Sequence, residues 1–553
     1  MDKLSFVSPS AGSPVLDKMG KRVYDLMLEL VAIPSITGSE GGENECARFI
    51  RDRLSRCGYF KQNPDDLRLI ALENDPWERH FLGALLRSAR PSKKTIILMG
   101  HFDVVDTDVC GSLRSWAFDP EEYTRRMGGL DLPEEARKDL DSGGYLFGRG
   151  VADMKTGLAL NICLLEDYAA RREELEFNVL LLAVPDEEGD SAGMRGAISF
   201  LSRLKEESLD FLACVDTEPA FEGNSPALYY GTIGKIMPMY LCVGKETHGG
   251  EYYEGLNSTL VASYLNISLD GGKDTIETLG SETFQPQCCL RMRDLRTRYA
   301  VTLPERTFLY YNCLTVKKTP AGILAEMKGK AESAMSSALS HVGRRDWKPR
   351  VLTVEEVLDR AARILGGREK LFAELLPQVG AKDERERNVE FLSLALDAAG
   401  EKGPLVVVGF VPPFYPPRRN RGESAHERAV RHSASIAEEA LKRRGFDLKK
   451  IEIFQGITDL SFTGFQGKVE ELASLAANTP LWGRGYDLPL PELQKIDIPG
   501  VIFGPIGKDA HKITERVELN YSFNVLPSIL KEFIESVFRA SFLTDDQKPE
   551  VRA

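Results

Sequence analysis

At 553 residues, with 42% hydrophobic and 28% charged positions, the chain has a globular composition and enough length for a sizeable core and more than one domain. A formal net charge of −12 and a pI near 5.4 argue against a nucleic-acid-binding surface, which needs a basic face, and the arginine-rich stretches at 291–298 and 418–421 are short enough to read as solvated surface. No run of about 18 apolar residues suggests a membrane partner, residues 1–22 lack a leader's apolar stretch, and nine scattered cysteines without a C-x-x-C pair fit free thiols in the cytoplasm.

In chain order, residues 23–30 carry an amphipathic helical pattern that Pro34-Ser35 breaks and residues 43–57 resume. Strand-like apolar runs follow at 95–99, 178–184 and 211–215, alternating with helical patterns at 156–167 and 196–205. That alternation predicts an α/β sheet covered on both faces, with chemistry at the carboxyl ends of its strands. Near Lys235 the character changes. Residues 237–243 and 306–314 read as strands, and 255–267 and 320–339 as helices, together a small α+β unit inserted into the first. Residues 351–399 are mostly helical, either an elaboration of that insert or a third piece. A buried-strand pattern returns at 405–410, before a stiff proline-rich loop at 412–417 and a clear helix at 425–444.

Several strand ends carry candidate chemistry. The adjacent pair Glu187 and Glu188 follows the run 178–184, and two carboxylates placed there repel and are costly to desolvate unless a cation or proton intervenes. One could bind a metal while the other takes a proton from an attacking water, although such pairs are also common on solvated loops. His101 and Asp103 follow the run 95–99; two residues apart on extended chain they face the same way, so the carboxylate can fix the imidazole's tautomer. A turn or capping pair is the plainer reading. Asp153 before a helix could simply be its N-cap, Glu218 a loop acid, and His511 a surface histidine.

Taken together, the blocks GHFDVVD, GRGVADMKTG, PDEEGD, DTEP and GKDAHKITE resemble, in order and spacing, the signature blocks of the ArgE/DapE/aminoacylase-1/carboxypeptidase G zinc metallopeptidase family. The match covers most of residues 20–345 and 403–540. Length and the extra 350–400 region look most like the arginine-utilisation (RocB-type) branch. The resemblance implies a zinc-exopeptidase-like catalytic domain, a mixed sheet flanked by helices, built from residues 1–236 and 403–553. It also implies an inserted α+β lid or dimerisation domain at 237–348, with 349–402 as a helical elaboration.

It further implies that His101, Asp153 and Glu218 hold one divalent metal ion, and that Glu188, His511 and the bridging Asp153 hold a second. Asp103 would orient His101, and Glu187 would be the general base. Three carboxylates and a hydroxide would balance two divalent cations, and a thiolate-free donor set suits zinc, with cobalt or manganese as substitutes. Asp216 is the runner-up to Glu218. The implied Asp153–Met154 peptide is cis. In the insert, Gly244, His248, Gly255 and Asn257 resemble the family's G-x-x-x-H…G-x-N block, whose histidine stabilises the oxyanion, usually in the site of a partner subunit; that allows a homodimer.

One block departs from the pattern: Pro304 is present, but Val301, Asn312 and Leu314 replace the usual Asn, Asp and Arg, and leucine cannot grip a substrate carboxylate. Gly456, Thr458 and Asp459 resemble the G-x-T-D block near the substrate. The expected function is two-metal hydrolysis of an amide bond in a small amino-acid or peptide substrate, by peptidase or deacylase chemistry and in the setting of arginine catabolism. The alternative is a catalytically silent metal- or ligand-binding protein on the same fold, against which the intact residue set counts.

Overall fold

The computed structural model describes residues 14–280 and 282–543; of the N-terminal stretch read as lacking a leader, residues 1–13 lie outside it. The chain groups into two compact units, one of residues 1–232, 418–464 and 492–553, the other of residues 233–417 and 465–491.

The first unit is built on a mixed sheet. Its strands run in the order Leu67–Ala71, His80–Leu86, Asn178–Val184, Lys94–His101, Asp210–Asp216, Gly500–Ile502, Ser225–Tyr229 and Lys449–Ile451, with the short Phe221–Glu222 strand beside Ser225–Tyr229. Three strands at its centre are parallel: Lys94–His101 lies between Asn178–Val184 and Asp210–Asp216, with His101 opposite Val184 and Met99 opposite Asp216. Asn178–Val184 is buried at every position, as expected of a strand covered on both faces. Because the three run the same way and in this register, their carboxyl ends, and the residues that follow them, emerge at one edge.

One face packs against the helices Lys18–Val31, Gly42–Leu54, Thr156–Ala170, Ala425–Lys442 and Leu526–Ala540, whose apolar side chains form one continuous core with the strands. Thr156–Ala170 is buried almost all round. The helix Ala192–Glu206 supplies Phe200, which meets Phe81 edge-on and sits so close to Gly83 that a side chain there would collide with its ring.

The second unit has a six-stranded sheet ordered Gly234–Ile236, Arg306–Thr315, Pro238–Val243, Leu405–Phe410 and Val351–Thr353, with Cys288–Asp294 also paired to Arg306–Thr315. Along Pro238–Val243 the side chains alternate. Met239, Leu241 and Val243 join a core made with the helices Val354–Leu365 and Glu384–Ala398, so the helical stretch 349–402 covers one face of this sheet. Tyr240 points the other way and meets Tyr311 edge-on, and Tyr311 donates a hydrogen bond to Asn266 of the helix Ser258–Leu269. The helix Val469–Ala477 packs on Pro320–His341, which places residues 465–491 with this unit rather than with the flanking segments of the first.

Among the described residues no helix is long and apolar enough to cross a membrane, and all nine cysteines are free.

Candidate metal centre

The parallel register of the first sheet assembles the cluster. His101 is the last residue of its strand, Glu187 and Glu188 stand just beyond the neighbouring strand, and Glu218 lies two residues past Asp216 on the other side. Asp153 enters from the turn before the helix Thr156–Ala170, where the Asp153–Met154 peptide is cis, in keeping with the sequence reading. His511 comes from the loop after the short strand Gly507–Lys508 and holds a left-handed backbone, φ 68°, which a non-glycine residue adopts only when its surroundings demand it.

Asp153 stands between the two imidazoles. His101 Nε2 lies 3.0 Å from Asp153 Oδ1, 3.1 Å from Glu218 Oε1 and 3.9 Å from Glu187 Oε2. His511 Nε2 lies 3.2 Å from the other oxygen of Asp153, Oδ2, and 2.9 Å from Glu188 Oε2. The two ends differ in access: the His101 side chain is 1% exposed and that of His511 52%.

The clustered side chains strongly shift one another's affinity for protons. Burial drives Glu187 well above the ordinary carboxylate range, and burial followed by the charge of Asp153 pushes Glu218 up to about 7. Burial would raise Asp153 too, but hydrogen bonds from His101 and His511 outweigh it and hold that group low. The imidazoles answer in kind. Hydrogen bonds to Asp153 and Glu188 raise His511 to about 10, and His101 is raised well above its usual value against the effect of its own burial. Imidazoles and carboxylates are thus pushed toward opposite charge, and a metal ion bound by such a set would compete with protons for the same atoms. Ligating atoms of His101, Glu187 and Glu218, and of His101, Asp153 and Glu188, each lie within 4.8 Å of one another, a spacing that fits metal ions.

The surroundings hold this set in place. His101 Nδ1 is 3.0 Å from the backbone carbonyl of Asp103 and 3.5 Å from its carboxylate. That carboxylate mainly accepts the backbone N–H groups of Glu187 and Glu188, each at 3.1 Å, and the Thr37 hydroxyl at 2.8 Å. Asp103 therefore seats the glutamate turn as well as backing His101. Sequence reasoning missed Arg149 and Glu515. These are buried and ion-paired; Glu515 accepts the N–H of Asp153 at 3.4 Å, and Arg149 donates to the carbonyl of His511 at 3.3 Å. Both lie inside the motif blocks GRGVADMKTG and GKDAHKITE, so their position was the available signal.

Asp216 is 1% exposed, and among the described residues it belongs to neither donor group. Asp459 is buried and its carboxyl is pushed up to about 7 by that burial. His248 lies in the second unit, exposed, at the start of a short helical turn, where its Nδ1 accepts the N–H of Gly250 at 3.1 Å. In a neutral ring that leaves the proton on Nε2. Leu314 is on the strand Arg306–Thr315, paired opposite Lys235.

The model of peptidase family M20/M25/M40 matches residues 97–536. The uncharacterized protein YqjN of Bacillus subtilis is 33% identical over 93% of this chain and 96% of its own length, and protein RocB of the same organism is 28% identical over 93% and 94%. Among solved structures, the dipeptidase Dug1p of Saccharomyces cerevisiae superposes with a TM-score of 0.54 over 95% of this chain and 97% of its own, at 13% identity, a likeness of fold.

Proposed function

The chain belongs to peptidase family M20/M25/M40, and we propose that it is a two-metal hydrolase that cleaves an amide bond in an amino-acid derivative or small peptide. The observation that carries this reading is the pair of Asp153 oxygens, each about 3 Å from a different imidazole and each imidazole beside its own glutamate.

In this reading His101, Asp153 and Glu218 hold one ion and Glu188, His511 and Asp153 the other. Zinc suits the donors best, with cobalt or manganese as substitutes. When bound, the ions supply a Lewis acid for the scissile carbonyl and lower the pKa of the attacking water. Glu187, outside both ligand sets but 3.9 Å from His101 Nε2, takes the proton from that water and delivers it to the departing amine nitrogen. Asp103 keeps His101 and the Glu187–Glu188 turn in register. His248, with its proton on Nε2, is suited to donate to the oxyanion, either in its own chain or across a homodimer formed by the second unit acting as lid and dimerisation domain. The resemblance to the arginine-utilisation branch read from the sequence suggests a place in arginine or amino-acid catabolism, and the unpaired cysteines favour the reducing cytoplasm.

The test is a hydrolysis screen over N-acyl amino acids and dipeptides, with protein stripped by chelator and reloaded with zinc, cobalt or manganese. Turnover that appears only on reloading supports the reading; no turnover with any ion across both substrate classes contradicts it.

A further inference from the structure

Behind the Glu187–Glu188 turn lies a second group of buried charges, of which only Asp186 falls within a signature block. Arg79, 5% exposed, sits at the start of the strand His80–Leu86. Its Nε and Nη2 grip Asp75, at 3.1 and 2.7 Å, in the fork geometry of a guanidinium on a carboxylate. Its remaining nitrogen, Nη1, reaches Glu43 at 3.4 Å and makes a short contact with Asp186 Oδ1. Asp186 is the hub of the turn. Its other carboxylate oxygen accepts the N–H groups of Asp190 and Ala192 at 3.3 and 3.0 Å, its carbonyl accepts those of Gly189 and Ser191 at 3.2 and 2.7 Å, and its φ is 69°. The next two residues are Glu187 and Glu188.

We propose that Arg79 is a positioning residue: by clamping Asp186 against Asp75 and Glu43 it fixes the turn that aims Glu187 and Glu188. Asp75 lies four residues from Arg79 and also accepts the backbone N–H of Arg79 at 2.9 Å, so it orients the guanidinium locally before Nη1 engages its distant partners. Without a cation there, three buried carboxylates face one another, and the turn relaxes by moving Asp186 away. A lysine cannot hold Asp75 with a fork and reach Asp186 at the same time, because it presents one point charge on a flexible stem.

The inference rests on the roles given to Glu187 and Glu188 above, so its test includes a reading that does not need turnover. The variants are Arg79→Lys, Asp186→Asn and the two combined. The measurements are thermal melting, metal affinity by competition with a chromophoric chelator, and kcat and KM. Residues that support metal ligands from behind are typically worth about 10–100-fold in affinity or activity. Arg79→Lys is expected to fold, to bind its weaker ion about 10–100-fold less tightly and to lose kcat by a similar factor, with KM little changed. If the clamp acts through Asp186, the double variant is no worse than the poorer single one; independent damage would add. Parent-like affinity and kcat in Arg79→Lys, or additive losses in the cycle, overturn the proposal. Should Arg79→Lys fail to fold, Asp186→Asn is read alone: parent-like metal affinity overturns the clamp and a loss supports it. A parent protein that binds metal but hydrolyses nothing would count against the proposed function while leaving the affinity test of the clamp intact.

Discussion

In the first unit, the side chains singled out from the sequence are drawn from five separate stretches of chain and meet with their polar atoms about 3 Å apart, all but His511 buried or half-buried. In the second unit His248 is exposed on a short turn and holds itself by a hydrogen bond two residues away, while the positions where the family carries Asp and Arg are filled by Asn312 and Leu314. A buried cluster of charges tolerates little change, since every unpaired group costs several kcal/mol, whereas an exposed loop can drift with substrate. The contrast sets a tightly held cluster of charges in the first unit against an exposed histidine in the second.

The sharpest way to break that contrast is Glu187→Gln. It keeps the shape of the side chain and removes its basicity, so metal content stays near that of the parent while kcat falls roughly 10²–10⁴-fold. Parent-like turnover in metal-replete protein would mean another base. Next in size is His248→Ala, expected to lose about 10²–10³-fold in kcat with metal content untouched, as for removal of one oxyanion donor. Glu187→Ala and His248→Ala refolded together then show whose histidine serves which site: activity returns only if the histidine is shared between subunits. Smallest is Thr353→Ala in the second unit. Thr353 caps the helix Val354–Leu365, its hydroxyl accepting the N–H of Glu356 at 3.1 Å and Glu356 returning the bond at 2.7 Å. Its loss should cost about 1 kcal/mol in chemical unfolding and leave metal affinity unchanged.

What could be read from the sequence follows the same division. The candidates that the structure brings together were legible because metal chemistry restricts residue type and because His101, Glu187, Glu188 and Glu218 follow apolar runs that announce buried strands; Asp153 and His511 were legible only through their motif blocks. A change of character near residue 235 was legible, but the second unit also takes residues 403–417 and 465–491, which the sequence reading gave to the first, and the role of 349–402 was not legible, since amphipathic helices do not reveal which sheet face they cover. The antiparallel strands Leu67–Ala71 and His80–Leu86 went unread; the first is only half-buried, on the edge of the sheet, and lacks a continuous apolar signal. Arg79 was invisible for a related reason: Asp186 is 107 residues away and Glu43 36, and no local pattern links them. For Asp103, spacing suggested a carboxylate on the histidine's far nitrogen. The chain turns out of the strand after His101, so the nearer acceptor is the backbone carbonyl, and the carboxylate is left for the glutamate turn.

The central claim is that Asp153 is shared between two ions. Metal content of extensively dialysed protein, measured by plasma emission for the parent, Glu218→Ala and Asp153→Ala, tests it most directly. Two ions per chain in the parent, one retained in Glu218→Ala and neither held firmly in Asp153→Ala are the expected result. Metal content in Asp153→Ala equal to the parent's would contradict it.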